Sequence, residues 1–179
     1  MQGKLFDNAL VSQHKDQAMN APRGLNVDYI NPFIEATVNT FQTMANVIPT
    51  RDKVFLKGEG EEVYGVSGII GLGGEACGAV VLNFPEAVAI AAVAKFVGED
   101  FGDITPGVID GVGELSNIIA GDAKNRLLQK GYKFEIGLPK IVTGRNYITA
   151  QNKSVPCIVI SFASELGKFC LEVSLKKTT

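Results

Sequence analysis

From Asn31 onward, apolar residues recur at helical spacing: Ile34, Val38, Phe41 and Ala45. Asn31 is a good N-cap, and Pro32 suits the first helical position, where its missing N–H costs nothing. A helix is therefore predicted from Asn31 until Pro49 ends the run. Three strand-like segments follow: 52-DKVFLK-57, 62-EVYGVSGIIGL-72 and 76-ACGAVVLNF-84. Gly58 and Gly60 mark the first turn between them and Gly73-Gly74 the second. Pro85 opens a second helix, PEAVAIAAVAKFVG, which Gly98 closes. After a polar loop, Thr105 can cap and Pro106 can start a long third helix that ends at Gly131. Strand patterns return in part of 133–143, in 155-VPCIVISFA-163 and in 168-KFCLEVSLK-176, with a turn at Glu165-Leu166-Gly167. The stretch 145-RNYITAQ-151 reads as a further short strand.

Helix, three strands, helix, then helix and three or so strands is a weak internal duplication. Consecutive strands joined by short glycine turns favour antiparallel pairing, so the fold class is α+β rather than a parallel α/β sheet. Residues 1–26 lack sustained periodicity and contain a Pro-Arg-Gly turn, so they read as a poorly structured leader with a short helix near Leu5 to Val11. Residues 27–179 then form one domain, with two symmetric halves as its architecture. The C-terminal strands alternate and carry no proline, which makes them candidates for pairing across a sheet edge.

The long helix, 107-GVIDGVGELSNIIAGDAKNRLLQKG-131, divides into two faces. At about 100° per residue, Val108, Val112, Leu115, Ile119 and Ala123 share one arc and face the core. Asp110, Glu114, Asn117 and Gly121 occupy the opposite side, followed one turn later by Lys124 and Asn125. Read alone, that row is a solvated helix face. Yet Gly111, Gly113 and Gly121 each cost about 1 kcal/mol relative to Ala in a helix interior, a cost that makes sense where another backbone approaches closely. The row also holds an amide and a carboxylate but no base–nucleophile pair, which suits placing a water or gripping a partner better than covalent catalysis.

Composition removes most other chemistries. The 179 residues carry 17 Lys and Arg against 19 Asp and Glu, a net charge of −2, and no concentrated basic face, so nucleic acid is not expected as a partner. The one histidine, His14, lies in the leader, which leaves Ser-His-Asp and Cys-His arrangements without a base. Cys77, Cys157 and Cys170 are odd in number and far apart, the pattern of buried reduced thiols rather than of a disulfide framework or zinc site. The run 71-GLGGEACG-78 fails both phosphate-loop patterns and leads into a strand, so it reads as a glycine hairpin. Glu61, Glu62 and Lys57 read as ordinary solvated charges. No secretory signal is visible, and the most apolar window, Ala87 to Val97, is interrupted by Lys95 and too short to span a bilayer. A soluble cytoplasmic protein with no membrane partner is expected.

The segment Asp110-x3-Glu114-x2-Asn117 resembles the D/S-xxx-E-xx-N signature of the CheC/CheX/FliY phosphatases of bacterial chemotaxis. In that signature a proline follows the Asn after about 22 residues; here Pro139 follows after 21, positions 118 to 138. The opening helix, 31-NPFIEATVNTFQTM-44, is similar to the first helix of CheX proteins, and the order of helices and strands matches across residues 27 to 177. CheC-type members often carry two such motifs, one per half. Here the first helix offers only Glu35-x3-Asn39, with Val38 where the motif would have Asn, so a single-motif, CheX-like domain is implied.

That resemblance implies a homodimer whose partner is a phosphorylated CheY-type receiver domain of a two-component response regulator. It further implies a phosphatase, hence a hydrolase, with Asn117 orienting the attacking water and Glu114 pairing with a lysine of the receiver. Asp110, Gly121 and Lys124 are the residues expected to contact the partner. The chain is expected to need no cofactor or metal of its own, with Mg2+ held by the receiver. Two readings from other classes stay open: a non-catalytic homodimeric module that docks a receiver through the same helix face, and a small-ligand-binding α+β domain. The last requires a closed apolar pocket rather than an exposed polar helix.

Overall fold

A computed structural model describes residues 27–58, 64–144 and 155–178 of the chain. The leader with its His14, the strand expected at 145–151, and Gly60, Glu61 and Glu62 lie outside the described residues. Among the described residues three helices, α1 (Val27–Ala45), α2 (Glu86–Val97) and α3 (Pro106–Gln129), pack on an antiparallel sheet. Its strands are β1 (Thr50–Leu56), β2 (Val66–Gly74), β3 (Ala76–Phe84), β4 (Phe134–Ile136), β5 (Lys140–Thr143), β6 (Cys157–Ser164) and β7 (Gly167–Lys177). The antiparallel α+β class follows the short glycine connections that predicted it: Gly74 takes φ +102 between β2 and β3, and Gly167 takes φ +120 between β6 and β7.

The strand order is β1-β6-β7-β3-β2-β4, with β5 continuing alongside β2 after β4. Exchanging β1, β2 and β3 for β4–β5, β6 and β7 reverses this order and leaves it unchanged, so the sheet carries the internal duplication about an axis between β3 and β7. The first strand of each half pairs with the second strand of the other: β1 with β6, and β4–β5 with β2. Neither half completes its hydrogen-bonded ladder alone, and the two share one sheet. Contrary to the edge pairing expected of the C-terminal strands, β6 and β7 are interior. Among the described residues the open edges are β1 and the β4–β5 strand.

One sheet face and the three helices enclose the apolar core. Phe169 of β7 lies at its centre, 4.7 Å ring to ring from Phe41 of α1, 5.2 Å from Phe162 and 5.3 Å from Phe84, spacings at which aromatic pairs attract beyond the area they bury. On α3 the predicted core arc is correct: Val108, Val112, Leu115, Ile119 and Ala123 are all buried. Ser116, on the same side, sits over Gly68 of β2, where no Cβ could fit, and its hydroxyl donates to the Val112 carbonyl at 2.7 Å. This close approach seats α3 on the sheet and thereby fixes where its outer face points.

Two expected boundaries move. Helix α1 begins at Val27, so Asn31 and Pro32 lie inside it rather than at its start. The extra turn packs: the Tyr29 ring lies 4.6 Å from Tyr132 and 6.1 Å from Phe134, and Ile30 is buried. Tertiary contacts here outweigh the ladder hydrogen bond that Pro32 cannot make. At the other end α1 stops before Pro49, at Asn46, which adopts a left-handed φ of 52 while Val47 N–H donates to Phe41 O. The other punctuation holds. Thr105 accepts from Val108 N–H at 3.4 Å ahead of Pro106, Gly98 caps α2 with φ 74, and Gly131 takes φ 89 after α3.

The second sheet face is not the solvated surface that its alternation suggests. Lys57, expected to be an ordinary surface charge, instead places its ammonium 2.8 Å from both carboxylate oxygens of Glu172, whose side chain is only 6% exposed. Asn83 donates to Glu172 at 3.0 Å and its carbonyl accepts from Ser67 at 2.6 Å. A buried carboxylate is tolerable only when partnered in this way. Cys157 and Cys170 are buried on the same face and Cys77 is exposed, so the expectation of buried thiols holds for two of the three.

Candidate functional site

The outer face of α3 is the part that its neighbours leave uncovered. Its inner arc lies on β2 and β3, its N-terminal flank meets α2, and its C-terminal flank meets α1. What is left is a row two helical turns to either side of Asn117. Asp110 and Glu114 are exposed, Asn117, Gly121 and Lys124 are half-buried, and Asn125 is exposed. Asp110 and Glu114 are one turn apart, as are Asn117 and Gly121, and from Asp110 to Gly121 the row extends about 16 Å along the axis. The structure therefore brings Asp110, Glu114, Asn117, Gly121 and Lys124 onto one accessible surface, as their spacing predicted.

The glycines part company. A Cβ on Gly111 would overlap Val93 of α2, lying within 2.8 Å of Cγ2 and closer still to Cγ1. A Cβ on Gly113 would meet Ile141 Cδ1 of β5 at 3.4 Å and Pro139 Cγ at 3.8 Å. Both glycines are buried, so the close neighbours at these two positions are α2 and the edge strand of the chain itself, not an outside partner. Around Gly121 nothing lies within 4 Å of where a Cβ would be. Of the three, only Gly121 belongs to the open face.

Pro139, the last position of the signature, reaches α3 through the β4–β5 connection and packs at Gly113. Gly113 and Asn117 are i and i+4, stacked on one side of the helix, so Pro139 buttresses α3 one turn from the amide. The 21-residue spacing therefore delivers the proline to the helix.

The partial motif on α1 is engaged inside the molecule. Glu35 Oε2 accepts from Arg126 Nη1 at 2.9 Å, and Asp122 accepts from Asn39 at 3.1 Å and from Arg126 Nε at 3.0 Å. Glu35 and Asn39 thus join α1 to α3 while both stay exposed, their polar groups bonded to Arg126 and Asp122. This network was invisible in the sequence, where residues 83 and 91 positions apart give no sign of meeting; the only hint was an acid and a base at i,i+4, Asp122 and Arg126.

On the far side of the sheet, a cavity of about 480 Å³ is lined by residues that include Phe55, Lys57, Tyr64, Val159, Lys168 and Glu172. Its charged lining is not the closed apolar pocket that a small-ligand domain requires. Among the described residues there is no cluster of three or more His, Cys, Asp or Glu placed to hold a metal, and no helix long and apolar enough to cross a membrane.

Known proteins share this arrangement. A family model described as chemotaxis phosphatase CheX matches residues 66–163. Among solved structures, a CheC-like superfamily protein from Shewanella sp. PV-4 is 35% identical, with 85% of this chain and 99% of that one aligned at a TM-score of 0.79. A chemotaxis protein CheX from Desulfovibrio desulfuricans is 30% identical over 83% of this chain and 99% of its own, with a TM-score of 0.76. A complex of CheX with CheY, beryllofluoride and Mg2+ from Borrelia burgdorferi contains a chain 27% identical, aligned over 85% of this chain and all of that one, with a TM-score of 0.73. No curated protein matches the sequence. With more than half of the chain covered by the family model and its full fold shared with 30–35% identical structures, the protein belongs to the CheX family of chemotaxis phosphatases.

Proposed function

We propose that this chain hydrolyses the phosphoaspartate of a CheY-type receiver, with Asn117 placing the water and Glu114 docking the receiver. The observation that carries the proposal is the open outer face of α3, where a carboxylate and an amide three residues apart project beside the bare backbone of Gly121. Family membership and the Borrelia CheX–CheY complex support a receiver as the partner.

An acyl phosphate is already activated, and its hydrolysis depends chiefly on holding a water in line with the departing carboxylate oxygen. The water oxygen bonds to phosphorus, the bond from phosphorus to the aspartyl oxygen breaks, and the products are inorganic phosphate and the free aspartate. An amide is suited to this task because its oxygen accepts from the water while its NH2 donates. Glu114 supplies negative charge for a cation of the receiver, and Asp110 and Lys124 border the same surface. The Mg2+ belongs to the receiver. The homodimer implied by the family resemblance is part of this proposal and is read by light scattering.

Phosphate release from a panel of phosphorylated CheY receivers tests the assignment. N117A abolishes accelerated release while leaving receiver binding in place, and E114Q weakens binding more than it alters folding. Full activity in both variants overturns the assigned roles. Binding by the wild-type chain without any turnover identifies the protein as a non-catalytic docking module instead.

A further inference from the structure

We propose that the cavity on the second sheet face binds a small organic anion, an acidic group carried on an apolar body. The proposal is independent of the receiver chemistry assigned to α3.

The sheet register builds the cavity. Lys53 of β1 pairs with Ser161 of β6, which pairs with Cys170 of β7. Phe55 pairs with Val159, which pairs with Glu172. Alternate residues of a strand share a face, and neighbouring strands lie about 4.8 Å apart. The two rows are therefore adjacent on one side of three strands, and all six residues line the cavity. Its volume of about 480 Å³ falls in the range of about 300–1,000 Å³ that holds small ligands. Val159, Cys170 and Glu172 are buried, Phe55 and Ser161 half-buried, and Lys53 and Lys168 exposed, so the lining runs from a sequestered floor to a wet rim.

Charge selects the class of ligand. Lys53, Lys57 and Lys168 line the cavity together with two carboxylates, Asp52 and Glu172. Both carboxylates are taken, Glu172 by Lys57 at 2.8 Å and Asp52 by Lys168 at 3.2 Å. Among the described residues the Lys53 ammonium makes no ion pair or side-chain hydrogen bond. One cation is left unmatched, which favours an anion over a cation or a neutral molecule.

The walls ask for more than a bare ion. Phe55 and Val159 stand one strand repeat, about 6.6 Å, from Lys53 and Ser161. An acidic group held by the Lys53 ammonium and the Ser161 hydroxyl therefore carries its apolar body over Phe55 and Val159. The floor beneath is fixed: Glu172 also accepts from Asn83 at 3.0 Å, and Asn83 accepts from Ser67 at 2.6 Å. A site already held in one arrangement loses little to reorganisation on binding. Apolar residues of the same volume often stabilise a fold as well as a buried ion pair does, so stability alone does not require the charge beneath this cavity.

The test is titration calorimetry on the full chain with four probes: phenyl phosphate, benzoate, inorganic phosphate and benzyl alcohol. Phenyl phosphate, benzoate or both are expected to bind saturably, one per chain, and comparing the two shows whether the site takes a phosphate or a carboxylate. Inorganic phosphate, which lacks the apolar body, and benzyl alcohol, which lacks the charge, are expected to bind at least tenfold more weakly. K53Q, a change at an exposed position, is expected to weaken the organic anion about tenfold by removing a charge-assisted contact. F55A is expected to weaken the organic anion and leave inorganic phosphate unchanged, with circular dichroism confirming its fold. E114Q and N117A, on the far side of the sheet, are expected to bind as wild type does. No saturable binding of either organic anion overturns the proposal, as does wild-type affinity in both K53Q and F55A. Loss of binding in E114Q or N117A instead would move the anion to the α3 face and equally overturn it. Inorganic phosphate bound as tightly as phenyl phosphate would overturn the role of the apolar wall.

Discussion

Three glycines inside one helix give a quantitative check on how α3 is packed, because a methyl group has a different fate at each. At Gly121 it enters open space. G121A therefore gains only the propensity and unfolded-state terms, about 0.5–1 kcal/mol, and for a chain of this size Tm rises by about 2–4 °C. At Gly113 the methyl lies 3.4 Å from the tip of Ile141, an ordinary contact, so G113A is expected between wild type and G121A. At Gly111 it collides with Val93, a β-branched and fully buried side chain of α2. Overpacking of that kind costs about 1–3 kcal/mol, and a stiff χ1 leaves Val93 little room to swing away. Subtracting the gain of about 1 kcal/mol in helix propensity leaves G111A about 1 kcal/mol less stable than wild type. The expected order of Tm is G121A, G113A, wild type, G111A, measured by thermal and urea unfolding of single-site variants. G111A as stable as G121A would refute the close contact of α2 with α3. G121A also probes function: a stabilised variant with an unchanged KM for the receiver would remove Gly121 from the docking face.

The second sheet face supplies further expectations. K57M leaves Glu172 buried without its cation and is expected to destabilise by about 3 kcal/mol in urea unfolding. K57M/E172Q recovers much of that loss, because the neutral amide still accepts from Asn83. A double variant no more stable than K57M would refute this account. Burial pushes the Cys170 thiol up to about 12 and raises that of Cys157. A folded-state pKa above the unfolded one means that stability is fully present below about pH 8.5 and is lost as pH rises toward 12, because the unfolded chain then holds fewer protons. Folding stability measured from pH 8 to 11 is expected to decline across that window. At pH 8 a thiol reagent is expected to modify Cys77 rapidly and Cys157 and Cys170 only on unfolding; equal rates at all three would contradict their burial.

Much of α3 was legible in the sequence because its signals are local. Thr105 and Pro106 start the helix, Gly131 follows its end, and the 3.6-residue period separates Val108, Val112, Leu115 and Ile119 from Asp110, Glu114 and Asn117, all within a few turns of chain. The Gly98 cap and the glycine hairpin after β2 were equally local. Pairing was not. Nothing in the period of β1 says that it lies against β6, nor in β4–β5 that they lie against β2, because a two-residue period assigns faces and not neighbours. The same limit hid the role of the polar positions of β7. Cys170, Glu172 and Ser174 alternate like a solvated face, and only the fold reveals Lys57 and Asn83 bonded to a buried Glu172. Helix α1 began earlier than its cap residues indicated because Tyr29 and Ile30 gain their partners from distant parts of the chain. The glycines show the division most clearly. Their cost to the helix could be read from sequence, but whether each left room for α2, for the edge strand or for solvent depended on what the tertiary structure placed opposite its missing Cβ.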